Sequence, residues 1–286
     1  MSDSGFQMVR LANGTASVHS LEYDETMHPG LGPAAEAETL YARQLRIVDR
    51  LREHGDGFVV WDVGLGAAAN ALAVIRAAAP CDATLSLSSF DASDGLLRFA
   101  IEHARELGYL DEFIEPLQTL VEKQHVSFVF GRLRVDWQLT LADFPAWICS
   151  GETARVPKPH AILFDPYSPA RNPSMWTATL FEDLFSVLEQ SSPCALATYS
   201  RSTMTRVALL LGGFFVGVGE ATGAKEETTI ASNSVSLIPR LLDWQWLERI
   251  RKSTGAEPLR EAVYRQAPLT DSTWARLEGH PQFRKS

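Results

Sequence analysis

The sequence predicts an α/β protein built on an open, mostly parallel, doubly wound sheet. Short apolar runs typical of buried strands alternate with segments of helical periodicity, and several of the runs stop at a glycine or an acid. A length of 286 residues, with 45% hydrophobic and 21% charged residues, is sufficient for a buried core. In such sheets ligands bind at the carboxyl ends of the strands, so strand-end side chains are the first candidates for a site.

The predicted elements follow one another along the chain after a weakly patterned segment of about 35 residues. Helical spacing begins near Glu36. The predicted strands are FVVWDVG (58–64), ATLSLSSFD (83–91), the β-rich stretch 126–139, HAILFD (160–165), CALATYS (194–200) and a terminal pair, 214–221 and 227–234. The predicted helices are 67–78, 92–109, 110–123, 174–190, 202–213 and 240–252. We expect one domain over residues 1–238 and a C-terminal helical extension over 239–286.

Composition excludes some functions. The formal charge of −9 argues against a chain that coats nucleic acid nonspecifically. Residues 1–238 contain 17 Lys and Arg against 29 Asp and Glu (−12), whereas residues 239–286 contain 9 against 6 (+3). A polyanion would therefore favour the C-terminal end, unless that end is only a solvated tail. No run is apolar enough for a membrane span or a signal peptide, so we expect a soluble, cytoplasmic protein.

The cysteines and histidines predict no metal site. Cys81, Cys149 and Cys194 are far apart in sequence, with neither a CxxC pair nor clustered histidines, and we expect buried thiols. The histidines that lie among polar neighbours are expected at the surface: His28, His54 and His125.

The loop DVGLGAAAN (62–70) joins a predicted strand to a predicted helix. Gly64 and Gly66 would let backbone N–H groups approach a ligand without Cβ obstruction, although a simple tight turn would use the same residues. A dinucleotide site would want a third glycine where Ala69 stands. An acid before the first glycine, Asp62, better suits a nucleoside with an amino-acid tail, such as S-adenosylmethionine, and we expect Asp62 to face the ammonium region of that ligand.

Other acids near the predicted strand ends could bind the same ligand. Asp91 ends the second strand, where a carboxylate can accept from both ribose hydroxyls or can cap the next helix. Glu36 and Glu38 precede the first strand and could face the ammonium group of the ligand, or could simply lie at a solvated helix start.

Asp165 is the sharpest candidate for chemistry. It ends an apolar predicted strand and is followed by Pro166-Tyr167-Ser168-Pro169, a segment whose prolines allow few backbone conformations. The carboxylate and the Tyr167 ring would therefore be held firmly. This arrangement suits methyl transfer to nitrogen, with Asp165 orienting the amine and relaying its proton; a capping role in a Pro-rich loop is the alternative. Arg171 and Asn172 could contact a phosphate or carbonyl, or Asn172 could cap a helix, while Trp176 could contact substrate or pack in the core.

The segment LFDPYSPARNPSMWTATLF (163–181) resembles the methyltransferase part of the bacterial MnmC-type tRNA modification proteins, whose pattern there is approximately D-(G/A)-(F/Y)-(A/S)-P-x-(K/R)-N-P-x-M-W. Pro166 departs from that pattern. Nine of its twelve positions match: Asp165, Tyr167, Ser168, Pro169, Arg171, Asn172, Pro173, Met175 and Trp176. Further likeness lies in SLEYDETMH (20–28), DVGLGAAAN, SFD (89–91) and LATYS (196–200), so that it spans about residues 20–235.

The resemblance implies a class I S-adenosylmethionine-dependent methyltransferase with a Rossmann-like, seven-stranded sheet, which N-methylates the aminomethyl group of a modified wobble uridine in tRNA. It adds Asn70 and Asp143 to the cofactor-binding residues, with Asp143 as the adenine contact. It also adds Ser168 and Lys225 to the substrate-binding residues. Ala68 replaces a family glycine, and Met27 replaces a family tyrosine.

Two departures keep other functions open. Lys225 is the single cation in GVGEATGAKEETT (217–229), where the family has a basic motif, and phosphate binding draws on cations. A small-molecule or peptide amine is therefore an alternative substrate, and a noncatalytic cofactor-binding or partner-binding protein is a third possibility. No second dinucleotide fingerprint follows residue 235, so we expect no flavin oxidase module.

Overall fold

The computed structural model describes residues 5–54, 57–222 and 226–284. Its strands are β1 (Phe6–Arg10), β2 (Ala16–Ser20), β3 (Glu25–Thr26), β4 (Phe58–Val63), β5 (Thr84–Asp91), β6 (His125–Phe130), β7 (Leu133–Leu141), β8 (Ala161–Phe164), β9 (Ala195–Thr198), β10 (Phe215–Gly219) and β11 (Thr228–Ser232). Its α-helices are α1 (Pro33–Ala37), α2 (Ile47–His54), α3 (Ala69–Ala78), α4 (Gly95–Glu102), α5 (Ala104–Leu107), α6 (Ile114–Lys123), α7 (Phe144–Ile148), α8 (Ala178–Ser186), α9 (Thr203–Gly212), α10 (Trp244–Ile250) and α11 (Asp271–Glu278).

The central sheet has the order β10-β11-β9-β8-β4-β5-β7-β6. Strands β4, β5, β7, β8 and β9 are parallel, while β6, β10 and β11 run antiparallel to their neighbours. The expected mostly parallel, doubly wound α/β architecture is confirmed. Strand order reverses at β4, which lies between β5 and β8, so the carboxyl ends of these three strands surround the switch point.

The sheet has eight strands in the described part of the chain, one more than the seven expected. The extra strand arises because β6 folds back on β7 through the two-residue loop Gly131-Arg132. Gly131 has φ +61°, and a Cβ there would approach the carbonyl oxygen of Ala79 at 2.7 Å. A glycine is therefore required for this hairpin, which divides the predicted stretch 126–139 into two strands.

Helices cover both faces of the sheet, and this burial explains the continuous apolar runs. All six residues of β4 are buried. Val60 packs in a cluster that includes residues of α3, whereas its neighbour Trp61 packs in a second cluster that includes residues of α8 and α9. Because successive strand residues point to opposite faces, a sheet covered on both sides requires apolar residues at nearly every position.

The weakly patterned N-terminal segment forms a three-stranded antiparallel sheet, β1-β2-β3. Residues 21–28, which include β3, we call the N-terminal strap. The helical segment expected from Glu36 onward is interrupted, since α1 continues as a π-helix (Glu38–Arg43) and α2 begins only after Arg46, which has φ +51°.

Residues 239–284 pack on the core of the α/β unit. The buried apolar side chains of α10 and α11 belong to the same cluster as Trp61, and the Gln282 side chain hydrogen-bonds to the backbone N–H and C=O of Val216. The boundary at residue 238 stays a prediction.

All three thiols were expected to be buried, and the structure contradicts this for one of them. Cys81 and Cys194 are buried, but Cys149 is exposed at the end of α7, where its Sγ donates to Asp183 Oδ2 at 3.2 Å.

Candidate active site

The glycine turn follows β4 directly. Gly64 has φ +90°, and a Cβ there would meet the carbonyl oxygen of Asp165 at 2.9 Å, so the turn tolerates only glycine at this position. Gly66 has φ +55°, and a Cβ there would make ordinary van der Waals contacts, the nearest with Leu96 Cδ2 at 3.6 Å, so the positive φ and not a steric clash favours glycine at this position. Ala68 adopts φ +62° immediately before α3, a conformation that explains why a glycine is natural there.

A cavity of about 820 Å³ lies over the carboxyl ends of the central strands and is lined by Gly64 and Gly66. Its volume is in the range of small-molecule and cofactor sites. Among the described residues, its lining includes no Arg or Lys side chain and seven acidic residues, Glu22, Asp24, Glu25, Glu36, Asp91, Asp143 and Asp165. Such a lining favours a ligand that carries positive charge.

Asp91 lies at the end of β5 and lines the cavity, as expected for a residue that binds ribose hydroxyls. Its Oδ2 accepts from the backbone N–H of Gly66 at 2.9 Å. Burial raises the pKa of the Asp91 carboxyl, and the hydrogen bonds from Gly66 and Ser93 act in the opposite direction. The alternative capping role is not observed, because Asp94 occupies the N-cap position of α4.

Asp62 does not reach the cavity, contrary to the expectation that it faces the ammonium group of the ligand. The side chain is fully buried, and its Oδ2 accepts from Ser89 Oγ at 2.9 Å. Asp62 and Ser89 are paired residues of β4 and β5, so this bond holds the carboxyl inside the sheet layer. Burial raises the pKa of Asp62 to about 8.

Asp165 lies where it was expected, at the end of β8 beside the glycine turn. Its side chain is 12% exposed and lines the cavity. Oδ2 accepts from Asn70 Nδ2 at 2.7 Å, and the nearby Tyr41 hydroxyl donates to the carbonyl oxygen of Phe164 at 3.4 Å. The backbone N–H of Asp165 continues the β4–β8 ladder by donating to Val63 O. The carboxylate is therefore held at the carboxyl end of β8, in the wall of the cavity.

Tyr167 lines the cavity two residues later, and its ring stacks on Tyr23 of the N-terminal strap, with ring centroids 3.9 Å apart and an interplanar angle of 11°. Burial raises the pKa of Tyr167 to about 12. Trp176 donates from Nε1 to the Tyr167 carbonyl oxygen at 2.8 Å. With 1% exposure, Trp176 is a core residue that positions the loop and does not line the cavity, so the core-packing alternative is confirmed and the contact with substrate is not observed.

Two other residues that were predicted to bind substrate instead form hydrogen bonds with the N-terminal strap. Ser168 donates from its backbone N–H and its Oγ to Glu25, and Arg171 donates to Asp24 Oδ2 at 2.6 Å. Neither Ser168 nor Arg171 lines the cavity, because these bonds direct both side chains to the strap. Asn172 does line it. Lys225 lies outside the described residues.

The remaining predicted cofactor residues line the cavity: Glu36, Asn70 and Asp143. Glu36 is 3% exposed and Asn70 is 2% exposed, and the Asn70 Oδ1 atom is buried with no hydrogen-bond partner in the described structure. Asp143 is exposed at the N-cap position of α7. Glu38 is exposed and does not line the cavity, in agreement with a solvated helix start.

His28 was expected at the surface, and the structure places it in the cavity. Its side chain is 12% exposed, and Nε2 lies 3.5 Å from Asp165 Oδ2. His125, in contrast, is 52% exposed on the sheet edge and pairs with Asp136. The sequence signal for His28 was its position in the segment SLEYDETMH, one of the segments that carry the family resemblance. Tyr23 in the same segment was also missed.

Two candidate features are not found in the described ranges. No described helix has the length and apolar character of a membrane span. The described residues also contain no group of three or more His, Cys, Asp or Glu side chains arranged to hold a metal ion.

The sequence and fold of the chain are similar to those of known methyltransferases and tRNA-modification proteins. A family model described as S-adenosyl-L-methionine-dependent methyltransferase matches residues 83–234. The tRNA 5-methylaminomethyl-2-thiouridine biosynthesis bifunctional protein MnmC of Aeromonas hydrophila is 26% identical over 245 residues, covering 79% of this chain and 36% of that protein. The Leptospira interrogans protein of that name is 30% identical over 130 residues, covering 44% of this chain and 18% of its own length.

The chain thus spans about a third of the length of the Aeromonas relative. The solved structure of MNMC2 from Aquifex aeolicus has the same fold, with a TM-score of 0.69 and 23% identity over 91% of this chain and 80% of that one. The family match covers more than half of the sequence and includes β5, β8 and the loop that contains Asp165. The chain belongs to the family of S-adenosyl-L-methionine-dependent methyltransferases.

Proposed function

We propose that the chain transfers the methyl group of S-adenosylmethionine to an amine, and that this amine is the aminomethyl group of a modified wobble uridine in tRNA. The observation that carries the proposal is the Asp165 carboxylate, held by Asn70 at 2.7 Å beside Gly64 in a cavity with an acidic lining. The tRNA part is supported by the relatives named for tRNA 5-methylaminomethyl-2-thiouridine biosynthesis.

The cavity residues fit S-adenosylmethionine. Gly64 and Gly66 line the cavity, and the buried Asn70 Oδ1 atom has no hydrogen-bond partner among the described residues. Asp91 would accept from the ribose hydroxyls, Glu36 would bind the ammonium group, and Asp143 would contact the adenine. When bound, the cofactor supplies an electrophilic methyl group on a positively charged sulfur. An acidic lining stabilises that charge more than a neutral lining would.

Asp165 would bind and orient the acceptor amine. An alkylamine with a pKa near the lysine value of about 10.4 carries a proton at pH 7, and removing that proton costs roughly 4 to 5 kcal/mol. A carboxylate binds the ammonium form, aligns the nitrogen and gives the departing proton a first acceptor. Tyr167 would form the aromatic wall beside it, with its ring held by the stack on Tyr23.

A small-molecule or peptide amine is the second candidate substrate, and one observation favours it. The cavity lining lacks Arg and Lys among the described residues, and Arg171, which lies close to the cavity, is paired with Asp24. Phosphate groups of a nucleic acid draw on cations of this kind. A free amine would not need them.

The test is transfer of label from S-adenosylmethionine to total tRNA that lacks the final methyl group, followed by analysis of the modified nucleosides. Label in a wobble nucleoside supports the tRNA function, and label in small amines alone supports the second candidate. No transfer by a protein that binds the cofactor would contradict both. Asp165→Asn is the loss-of-function variant, and Asp136→Asn is the matched control because Asp136 is exposed on β7 and does not line the cavity.

A further inference from the structure

The imidazole of His28 lies between two carboxylates of the cavity. Nε2 is 3.5 Å from Asp165 Oδ2, and Nδ1 is 4.0 Å from Glu36 Oε2. The three side chains come from separate parts of the chain, namely the N-terminal strap, α1 and the loop after β8. Each is at most 12% exposed. His28 therefore contacts the residue proposed to bind the acceptor on one side and the residue proposed to bind the cofactor ammonium on the other.

The backbone of His28 supports a specific role for this side chain. His28 has φ +44°, in the left-handed region that is unfavourable for most residues other than glycine. The conformation is imposed by the strap, because Met27 N donates to Val18 O and β3 pairs with β2 immediately before it. A strained residue that directs its ring into a cavity is a candidate for function.

The acceptor amine has one requirement that Asp165 alone does not meet. A carboxylate next to an ammonium group stabilises its charged form, so the proton needs a second acceptor that can release it to solvent. The hydroxyls that face Asp165 are poor acceptors: burial raises the pKa of both Tyr41 and Tyr199 well above the usual value, and both hydroxyls stay protonated. Imidazole exchanges protons near neutral pH, and no other described residue of the cavity lining carries one.

We propose that His28 takes up, by way of Asp165, the proton that the acceptor ammonium loses during methyl transfer. This role rests on the proposed amine methylation. The N–H bond breaks and leaves its electron pair on nitrogen; that pair forms the N–CH₃ bond while the C–S bond breaks, and sulfur keeps the departing pair as a thioether. The proton passes to Asp165 and then to His28 Nε2, while Glu36 Oε2 lies 4.0 Å from Nδ1 on the other side of the ring. The imidazolium then releases the proton to solvent, because an imidazolium ion is a stronger acid than an alkylammonium ion by about 4 pKa units.

His28→Asn is the informative variant, since asparagine tolerates a positive φ but does not titrate. We expect kcat at pH 7 to fall by about 100-fold, with unchanged KM for tRNA and for S-adenosylmethionine. The loss should shrink as pH rises to 9, because hydroxide and buffer then deprotonate the amine. A purely structural role would lower kcat by the same factor at every pH. Equal activity of His28→Asn and wild type, or a uniform loss, would overturn the proposal.

Two further measurements separate this inference from the proposed function. Added imidazole should restore methylation by His28→Gly but not by Asp165→Ala. In the ligand-free protein, the ring-nitrogen NMR signals that disappear in His28→Asn should move in Asp165→Asn, because Nε2 lies 3.5 Å from Asp165 Oδ2, whereas the signals of His125 should not change. If the wild-type protein methylates no amine, the proposed function fails, and so does the role of His28 in it. If methylation proceeds and these signals do not move, only the role of His28 fails.

Discussion

Replacement of Gly64 by alanine tests how closely the glycine turn and the loop of Asp165 are packed. The added methyl group would lie 2.9 Å from the Asp165 carbonyl oxygen, 3.0 Å from its carbonyl carbon and 3.1 Å from the nitrogen of Pro166. All three are backbone atoms, so a side-chain rotation cannot relieve the contact. Gly57 has a nearly identical φ, +91° against +90°, and no atom within 4 Å of a Cβ at that position.

The paired variants separate two energetic contributions. An alanine in the left-handed region costs roughly 1–2 kcal/mol, and this cost should be shared by Gly57→Ala and Gly64→Ala. Overpacking adds roughly 1–3 kcal/mol, and this cost should appear only in Gly64→Ala. Gly64→Ala should therefore lose about 2–5 kcal/mol of unfolding free energy, against about 1–2 kcal/mol for the control.

Urea unfolding of the two variants and the wild type measures these differences, and calorimetry with S-adenosylmethionine measures the consequence for binding. Because the clash displaces the glycine turn, which itself lines the cavity, cofactor affinity should fall in Gly64→Ala and stay constant in Gly57→Ala. Equal destabilisation of the two variants would show that the turn and the loop are not in contact, and the account of the site would be wrong.

Three further predictions concern single side chains. Asp165→Ala should retain cofactor affinity by calorimetry while methylation falls on the order of 100-fold or more; unchanged turnover would remove the carboxylate from the mechanism. Burial raises the pKa of Asp62 from 3.8 to about 8, so the folded state holds a proton that the unfolded chain releases. Stability should therefore decline between about pH 4 and 8, and urea unfolding of Asp62→Asn should show a flatter decline; identical slopes would refute this. Trp176→Phe should lose about 1 kcal/mol of stability with its bond to the Tyr167 carbonyl, without weaker cofactor binding; reduced affinity would indicate a contact with ligand.

Much of the fold and part of the site followed from the sequence because parallel strands place their carboxyl ends on one edge. The apolar runs predicted β4, β5 and β8, and the residues that follow these strands then had to be neighbours. For this reason Gly64, Asp91 and Asp165 were found from local patterns alone, although 101 positions separate the first from the last. Asp62 was misplaced because a strand pattern does not show whether its final polar side chain points toward the ligand or into the sheet.

Residues whose place depends on a contact between distant loops could not be predicted. The N-terminal strap is held by Glu25 against Ser168 and by Asp24 against Arg171, and neither pair has a local sequence signal. As a result, Ser168 and Arg171 were assigned to substrate, and His28 was assigned to the surface. A polar side chain in a loop has many possible partners, and the sequence does not indicate which of them is nearest.

The exposed thiol at the end of α7 offers a practical way to observe ligand binding. Cys149 is the one exposed cysteine of the three, and α7 begins at Phe144, which lines the cavity together with Asp143. Six residues of helical rise place the thiol about 9 Å from that wall. A maleimide dye should therefore attach at a single position without removal of the buried cysteines. The hydrogen bond to Asp183 raises the pKa of the Cys149 thiol, so mildly alkaline buffer would favour the coupling reaction, and the attached fluorophore would report occupancy in real time.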